Sequence, residues 1–470
     1  MKRPFILVSV GLLTLIAAAA AVTWFVLLRP PAAPPGSHPI TVLKGATVID
    51  GTERSPITNG IIVIQGTRIA AVGPEGSVQV PPAATVIDAT GKYIIPGLAD
   101  MHNHLRDGIM TEWQNPRPNL SRLLGCGVTM TFAPSMEKDA FVWLKTKITT
   151  DDAGPYAHFW GTGPVIMATN ASGADYSPRT AAEAHKTVLE LKAMNVDAIK
   201  VFNDDMSWLI ESPLPMLPDD VLKATIKEAH RQNLKVYVHA PVLEHAKAAL
   251  KAGADGLLHG IISAPVDGEL ITLMKQNNAI YVSTLSLFES AADLANWSVR
   301  LAAFDEHHWM PPTGYAHLQS PAVLERTQGR WTNHAHTKAQ LPVARQNLKT
   351  VFDVGIPVIA GTDTGLLGVV TCVSSHLELV LLTEAGLKPA EALRAATYNA
   401  ARMVGREKDL GTIEPGKLAD LVILDGNPLS DIKNTRTVHR VVKGGVVHEP
   451  QQLFNLAELK HDEVMGTLGD

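Results

Sequence analysis

The sequence predicts an α/β protein with a (β/α)8 TIM-like barrel, a small discontinuous β-sandwich domain built from both flanks of the barrel, and an N-terminal membrane segment. Three observations lead to this prediction. Strand-like and helix-like patterns alternate through the middle of the chain, β-rich stretches lie on both sides of that region, and a long uncharged run follows the N-terminus. The length of 470 residues fits one barrel with a satellite domain.

The central region contains eight strand candidates. One ends at His104, and the others cover 127–132, 158–161, 197–202, 235–239, 256–259, 279–283 and 358–361. Helical patterns lie between several of them, such as 180–195, 218–233 and 244–252, and Gly253 follows the last where a helix C-cap belongs. This alternation predicts parallel strands with crossover helices. The connection 283–357 is unusually long, and we expect a lid or a helical elaboration that covers part of the barrel mouth.

The two flanks have the same texture of short β-branched runs punctuated by glycine. They would most simply pair into one domain. The predicted boundaries follow in chain order: 1–29 as a signal-anchor or signal peptide, 30–40 as a proline-rich linker, 41–95 with 411–450 as the composite β-sandwich, 96–410 as the barrel, and 451–470 as a C-terminal tail.

The N-terminus is the compositional outlier. Lys2 and Arg3 precede 25 uncharged residues, 4–28, a length that spans a bilayer with some tilt. We expect an uncleaved anchor, with the body of the protein exported and facing the periplasm or the cell exterior. The alternative is a long signal peptide cut near the alanines of 17–21, which would leave a secreted protein.

Composition excludes two other classes of protein. The net charge of −5, without a basic block, argues against a nucleic-acid partner. Two cysteines, Cys126 and Cys372, cannot form a disulfide framework. On the barrel prediction Cys126 lies at the bottom rim and Cys372 above it, so we expect them not to pair with each other.

Chemistry-bearing side chains recur at the ends of the predicted strands. Side chains two residues apart in a strand share a face, so His102 and His104 would point the same way. His239 ends the fifth strand, His259 ends the sixth, and Asp363 follows the eighth. Singly, each is more often a satisfied core residue or a turn residue. Jointly they predict a metal centre at the carboxyl ends of the strands, where such barrels perform chemistry.

Lys200 adds an unusual member, because an ammonium group repels cations. It lies in a strand that we expect to be buried, and burial lowers the pKa of a lysine. A neutral amine can add carbon dioxide and become a carbamate, whose two oxygens could bridge two metal ions. The bland alternative is a lysine that reaches the rim or pairs with Asp204 or Asp205.

These residues and their surroundings resemble the amidohydrolase superfamily, in its binuclear imidazolonepropionase-like and prolidase-like branch. The resemblance covers nearly everything after the linker. It is strongest in Pro-Gly-Leu-Ala-Asp-Met-His-Asn-His at 96–104, in Ala-Gly-Thr-Asp at 360–363, and over 384–397 and 411–425.

The resemblance implies two divalent metal ions. One would be held by His102, His104 and Asp363, the other by His239 and His259, with carbamylated Lys200 and a hydroxide between them. Zinc is the default, and manganese, cobalt or iron would also fit. Asp363 would act as general base and then as general acid.

The reaction that we expect is hydrolysis of a carbonyl C–N bond in a small amide or dipeptide, as in prolidases. A cyclic-amide hydrolase, a heterocycle deaminase and a non-catalytic barrel scaffold are the alternatives, and a homo-oligomer stays open. Position alone suggests Tyr176, Asn203 and His376 as substrate contacts. The family's histidines are missing from the loop 163–176, so its usual substrate contacts do not carry over.

Overall fold

The computed structural model describes residues 39–105, 116–148, 154–168, 175–310, 312–366 and 368–458. The N-terminal flank forms the first five strands. They are β1 (Ile40–Val48), β2 (Ile57–Gln65), β3 (Arg68–Pro74), β4 (Thr85–Asp88) and β5 (Tyr93–Pro96). β2 and β3 form an antiparallel hairpin through the turn at Gly66, whose φ of 59° suits a residue without a Cβ.

Eight parallel strands follow in the order expected from the sequence. They are β6 (Leu98–Asp100), β7 (Val128–Ala133), β8 (His158–Gly161), β9 (Ala198–Phe202), β10 (Lys235–His239), β11 (Gly256–Leu257), β12 (Ile280–Val282) and β13 (Val358–Ile359). The pairing runs without interruption from β6 to β8 and from β9 to β13. Backbone hydrogen bonds join the two groups, from Met101 N to Ala360 O at 3.0 Å and from Phe202 N to Ile166 O at 2.8 Å. The strands therefore close into a barrel.

Helices connect the strands and cover the outside of the barrel. They are α1 (Pro116–Gly125), α2 (Lys138–Lys147), α3 (Ala181–Ala193), α4 (Asp219–Arg231), α5 (Leu243–Lys251), α6 (Gly268–Gln276), α7 (Leu285–Ala292), α8 (Leu294–Phe304), α9 (Pro312–Leu318), α10 (Pro321–Arg330), α11 (His334–Asp353), α12 (Val373–Glu384), α13 (Pro389–Ala395) and α14 (Tyr398–Met403). Local signals explain their ends. The Thr180 side chain accepts a hydrogen bond from Glu183 N at the start of α3, and Gly253 has a φ of 103° after α5.

The C-terminal flank completes the sheet that the N-terminal flank began. It contains β14 (Leu421–Leu424), a 3-10 helix (Ile432–Arg436), β15 (Val438–Lys443), β16 (Val446–His448) and α15 (Pro450–Glu458). β14 pairs antiparallel with β5, so strands from both flanks belong to one eight-stranded sheet. The sheet curls back on itself, because Ala419 N donates to Thr67 O at 2.9 Å. The two flanks thus share one core.

A buried ion cluster links this sheet to the barrel. Asp420, just before β14, has its carboxylate 2.8 Å from His158 Nε2 at the start of β8 and 3.9 Å from Lys443 Nζ. All three residues are buried. Burial by itself would raise the pKa of Asp420, but Lys443 and His158 lower it to about 2. The cluster is held together because each charge there has a partner.

The long connection 283–357 forms the five helices α7 to α11. It packs against loops at the carboxyl ends of the strands. Thr337 Oγ1 donates to Trp208 O at 2.6 Å, and Trp297 Nε1 donates to Gly368 O at 2.7 Å. These contacts support the loops that follow β9 and β13, so the connection is a helical elaboration beside the mouth.

The expectation for the two cysteines is wrong. Cys126 and Cys372 form a disulfide, with their Cα atoms 5.8 Å apart and both residues fully buried. The expectation assumed that Cys372 stays above the eighth strand. The nine residues after Asp363 instead carry it to the end of α1, a reach that an extended segment can cover (roughly 3.3 Å per residue).

The predicted membrane segment, 1–29, and its linker lie almost wholly outside the described residues. Within the part of the chain that the structure describes, no helix has both the length and the apolar character needed to cross a bilayer.

Candidate metal centre

The barrel brings the six predicted metal-binding residues to one region at the carboxyl ends of its strands. His102, His104 and Asp363 follow β6 and β13, while Lys200 and His239 lie in β9 and β10, and His259 follows β11. Five of them are buried, and the His104 side chain is 21% exposed. The parallel arrangement explains this convergence, since the carboxyl ends of all eight strands meet at one end of the barrel.

The four imidazoles form a continuous row. The ring centres of His104 and His102 are 5.5 Å apart, those of His102 and His259 4.5 Å, and those of His259 and His239 4.2 Å. Burial is the main reason why the pKa values of His102, His239 and His259 are low, about 4 for His102. These rings are therefore neutral at physiological pH, as a metal ligand must be.

Each ring is oriented by a hydrogen bond on one nitrogen. Nδ1 of His102 lies 2.8 Å from Leu258 O, Nδ1 of His104 lies 3.3 Å from Ser135 O, and Nδ1 of His259 lies 2.9 Å from Thr284 Oγ1. The carbonyl partners accept the Nδ1 proton and leave Nε2 with a free lone pair. This is the usual arrangement around a metal-binding histidine, whose second nitrogen donates to a fixed acceptor.

His239 has the opposite orientation. Its Nε2 lies 3.2 Å from the buried carboxylate of Asp204, which leaves Nδ1 as the free nitrogen. Asp204 also accepts hydrogen bonds from Trp208 Nε1 at 2.9 Å and from His245 Nδ1 at 3.0 Å. Burial alone would raise the pKa of Asp204, but His239 and His245 hold it below its usual range. A carboxylate in this place makes the imidazole a better metal ligand.

Asp363 is the clearest indication that this site binds a cation. Its Oδ1 lies 2.8 Å from His104 Nε2 and 3.1 Å from His102 Nε2, yet it accepts no hydrogen bond of acceptable geometry although it is buried. Burial would raise the pKa of Asp363, but the two histidines hold it well below its usual range. Its φ of 68° is rare for a residue other than glycine, and such strain is concentrated at functional sites.

The donor set fits a divalent cation. His102, His259 and Asp363 each offer one atom, and these atoms lie within 4.8 Å of one another. This triad takes members from both of the predicted ligand sets. Imidazole nitrogens with a carboxylate are ligands typical of zinc and related ions, and a cation would satisfy the unpaired oxygen of Asp363.

Lys200 faces the same space. It is 4% exposed, and burial lowers its pKa to about 7, partly opposed by the negative charge of Asp363. Ala198 lies two residues earlier on the same face of the strand, and it belongs to the apolar core that fills the barrel below the site. A large fraction of Lys200 is therefore a neutral amine at physiological pH, the form that reacts with carbon dioxide.

Sequence reasoning missed the residues that support the site. Asp100 is buried and accepts hydrogen bonds from Thr362 Oγ1 at 2.7 Å, Ser375 Oγ at 2.9 Å and Asn103 Nδ2 at 3.1 Å. It thereby ties the end of β6 to the segment that carries Asp363. Asp100 lies two residues before His102, so the periodicity that placed His102 and His104 on one face could also have identified Asp100. Asp204 with His245 had no comparable signal, because they lie far apart in the sequence.

The three suggested substrate contacts fare differently. Asn203 is buried at the end of β9, where its backbone N donates to His239 O at 3.1 Å. Tyr176 is partly buried, and its hydroxyl interacts with Glu190 on α3. His376 is fully buried, with Nδ1 3.0 Å from Thr435 Oγ1 and Nε2 2.9 Å from Cys126 O. Both nitrogens of His376 thus have hydrogen-bond partners away from the histidine row. The neighbouring Ser375 is the residue of this helix that contacts Asp100 beside the site.

A closed α/β barrel whose strand ends present histidines, an aspartate and a buried lysine belongs to the class of metal-dependent hydrolases. A model of the amidohydrolase family matches residues 93–447, which cover the barrel and the adjoining strands β5, β14 and β15. The chain belongs to the amidohydrolase family, and the predicted resemblance is confirmed.

Individual relatives agree with this assignment. Ochratoxinase from Aspergillus niger is 29% identical over 296 residues, which are 62% of this chain and 52% of the fungal protein. This chain thus matches only about half the length of that relative. Imidazolonepropionase from Symbiobacterium thermophilum is 24% identical over 409 residues, 81% of this chain and 85% of that protein. The structure of a putative prolidase from Bifidobacterium longum aligns with a TM-score of 0.71 and 25% identity, covering 90% of this chain and all of that one.

Proposed function

We propose that this protein is a metal-dependent amidohydrolase that cleaves the carbonyl C–N bond of a small amide or a dipeptide. The observation that carries the proposal is the unpaired buried oxygen of Asp363, which faces two imidazoles oriented to leave Nε2 free. The names of relatives support the reaction class, since they include a putative prolidase and a Xaa-Pro dipeptidase.

The residues that would hold the metal ions are His102, His104, His239, His259 and Asp363, with Lys200 between them as a carbamate. Two divalent ions, zinc by default, would supply a water of lowered pKa and a polarised carbonyl oxygen. The carbamate forms when the neutral Lys200 amine adds to carbon dioxide and releases one proton. The burial that lowers the pKa of Lys200 to about 7 favours this step.

Asp363 is the residue that we assign to proton transfer. Its low pKa keeps the carboxylate ionised at neutral pH, and Oδ1 has no competing hydrogen-bond donor. The Asp363 carboxylate would take the proton that the attacking water loses and then deliver it to the nitrogen that leaves as an amine. One group would thus act first as general base and then as general acid.

The experiment combines metal analysis with a substrate panel. We expect up to two divalent ions per chain, loss of hydrolysis after chelation, and recovery when zinc is returned. The panel contains dipeptides ending in proline, N-acyl amino acids, lactams and adenine. Hydrolysis of the first two groups supports the proposal, hydrolysis of lactams alone favours a cyclic-amide hydrolase, and ammonia release from adenine favours a deaminase. A protein that holds no metal contradicts all three.

We also propose that the protein is exported and anchored by its N-terminal segment. The uncharged run 4–28 after Lys2 and Arg3 supports an anchor, and the disulfide is typical of proteins in oxidising compartments. Fractionation of expressing cells tests this proposal. We expect the full-length chain in the membrane fraction with its body accessible to protease from outside, whereas a shortened soluble chain would indicate signal-peptide cleavage.

A further inference from the structure

Helix α12 contacts residues that support the candidate metal centre through two polar side chains one helical turn apart, Ser375 and Glu378. Ser375 Oγ donates to Asp100 Oδ2 at 2.9 Å, on the side of the centre that His102 occupies. Glu378 is fully buried and reaches the segment after β12, on the side of His259. A single helix therefore contacts the supports of both sides of the centre.

The Glu378 carboxylate accepts four hydrogen bonds from this segment. Oε1 accepts from Ser283 Oγ at 2.6 Å and from Leu285 N at 2.9 Å. Oε2 accepts from Ser286 N at 2.8 Å and from Ser286 Oγ at 2.7 Å. Burial raises the pKa of Glu378 to about 7, whereas these four hydrogen bonds and its place at the N-terminus of α7 favour the ionised carboxylate. Glu378 thus fixes the residues on both sides of Thr284.

Thr284 itself is in a conformation that needs such support. Its φ of 48° and ψ of 41° are left-handed, which is unfavourable for a β-branched residue. In this conformation Thr284 Oγ1 lies 2.9 Å from His259 Nδ1. The hydrogen bond engages Nδ1 and leaves Nε2 as the nitrogen that His259 can offer in its cluster with His102 and Asp363.

We propose that Glu378 is a positioning residue of the metal centre, because it holds the turn through which Thr284 orients His259. This inference rests on the proposed function, since it assigns Glu378 a role in metal binding. A glutamine cannot replace the carboxylate. It has one acceptor oxygen, so the backbone N–H of Leu285 or of Ser286 would face an NH2 group that accepts nothing, while the serine hydroxyl beside it would have to turn and accept instead.

The test compares Glu378→Gln with Glu384→Gln. Glu384 is the last residue of the same helix, and its exposed carboxylate pairs with Arg300 at the surface. Zinc affinity is measured by competition with a chromophoric chelator, and the visible spectrum of the cobalt-substituted protein is recorded. We expect Glu378→Gln to weaken the binding of one ion by about 10- to 100-fold and to change the spectrum, with no change for Glu384→Gln.

Two variants of Thr284 test the same path without touching Glu378. Thr284→Val removes the hydroxyl at His259 and should weaken metal binding to a similar extent, while Thr284→Ser should restore it. These variants decide the question if Glu378→Gln does not fold. Unchanged zinc affinity and spectrum in a folded Glu378→Gln protein that is merely less stable would overturn the inference. A wild-type protein without bound metal would overturn the proposed function and, with it, this role.

Discussion

Replacement of Lys200 by methionine makes the strongest prediction, because stability and metal binding should change in opposite directions. Lys200 is almost completely buried, and burial lowers its pKa from the ordinary value of 10.5 to about 7. A difference of this size, at about 1.36 kcal/mol per unit, corresponds to roughly 5 kcal/mol of unfavourable free energy for the protonated lysine in the metal-free protein. Methionine is flexible enough to fill the same space without a charge.

The dependence on pH follows from the sign of the shift. Between pH 7 and 10.5 the unfolded chain binds a proton at Lys200 that the folded protein does not, so metal-free stability rises with pH in this range. The full penalty applies below pH 7 and vanishes above 10.5. We therefore expect metal-free Lys200→Met to be more stable than the metal-free wild type by up to about 5 kcal/mol at pH 6. The advantage should shrink steadily as the pH is raised.

The assay is urea unfolding followed by tryptophan fluorescence, at pH 6, 7.5 and 9, in chelator-treated buffers depleted of carbon dioxide. Lys235→Met, at an exposed position on the neighbouring strand β10, is the matched control and should change little. With zinc and bicarbonate present the order should reverse, since only the wild type gains from metal binding. A metal-free Lys200→Met protein that is less stable at pH 6 would refute the burial argument. Full metal content in that variant would refute the bridging role.

Three further predictions concern the supports of the fold and the site. Cys126→Ala combined with Cys372→Ala should lower the free energy of unfolding by about 5 kcal/mol, because the disulfide closes a loop of 246 residues. A thiol assay should find no free thiol in the wild type before reduction. Two free thiols under native oxidising conditions would contradict the pairing. Asp420→Asn, in the buried ion cluster, should lower the free energy of unfolding in urea by roughly 3–5 kcal/mol. The control Glu449→Gln breaks an exposed ion pair and should lower it by less than about 1 kcal/mol. Equal losses for the two variants would show that the cluster is not shielded from water. Asp204→Asn should weaken the binding of one metal ion by about 10- to 100-fold in chelator competition, and unchanged affinity would mean that this carboxylate does not support its histidine.

The eight barrel strands could be predicted because each depends on local sequence. A buried parallel strand appears as a short apolar run, and the residues at its carboxyl end follow directly. The spacing of His102 and His104 therefore indicated a shared face before any tertiary contact was known. The predicted helix ends at Thr180 and Gly253 also depended on neighbouring residues alone.

The errors and omissions concern contacts between residues far apart in the chain. The pairing of Cys126 with Cys372 depends on the path of the loop after Asp363, which no local pattern describes. For His376, which was suggested as a substrate contact, the sequence does not show which face of α12 turns toward Asp100 and the segment after β12. That face belongs to Ser375 and Glu378.

By itself, then, the sequence determined the order of strands and helices and the residues that stand at the strand ends, because these follow from side-chain periodicity and barrel geometry. Only the tertiary structure decided how each ring is turned and what holds it. Leu258 O, Thr284 Oγ1 and Asp204 select the nitrogen that each histidine leaves free, and Glu378 fixes one of these partners. Such hydrogen bonds depend on positions within a few tenths of an ångström, which only the folded packing of distant segments can set.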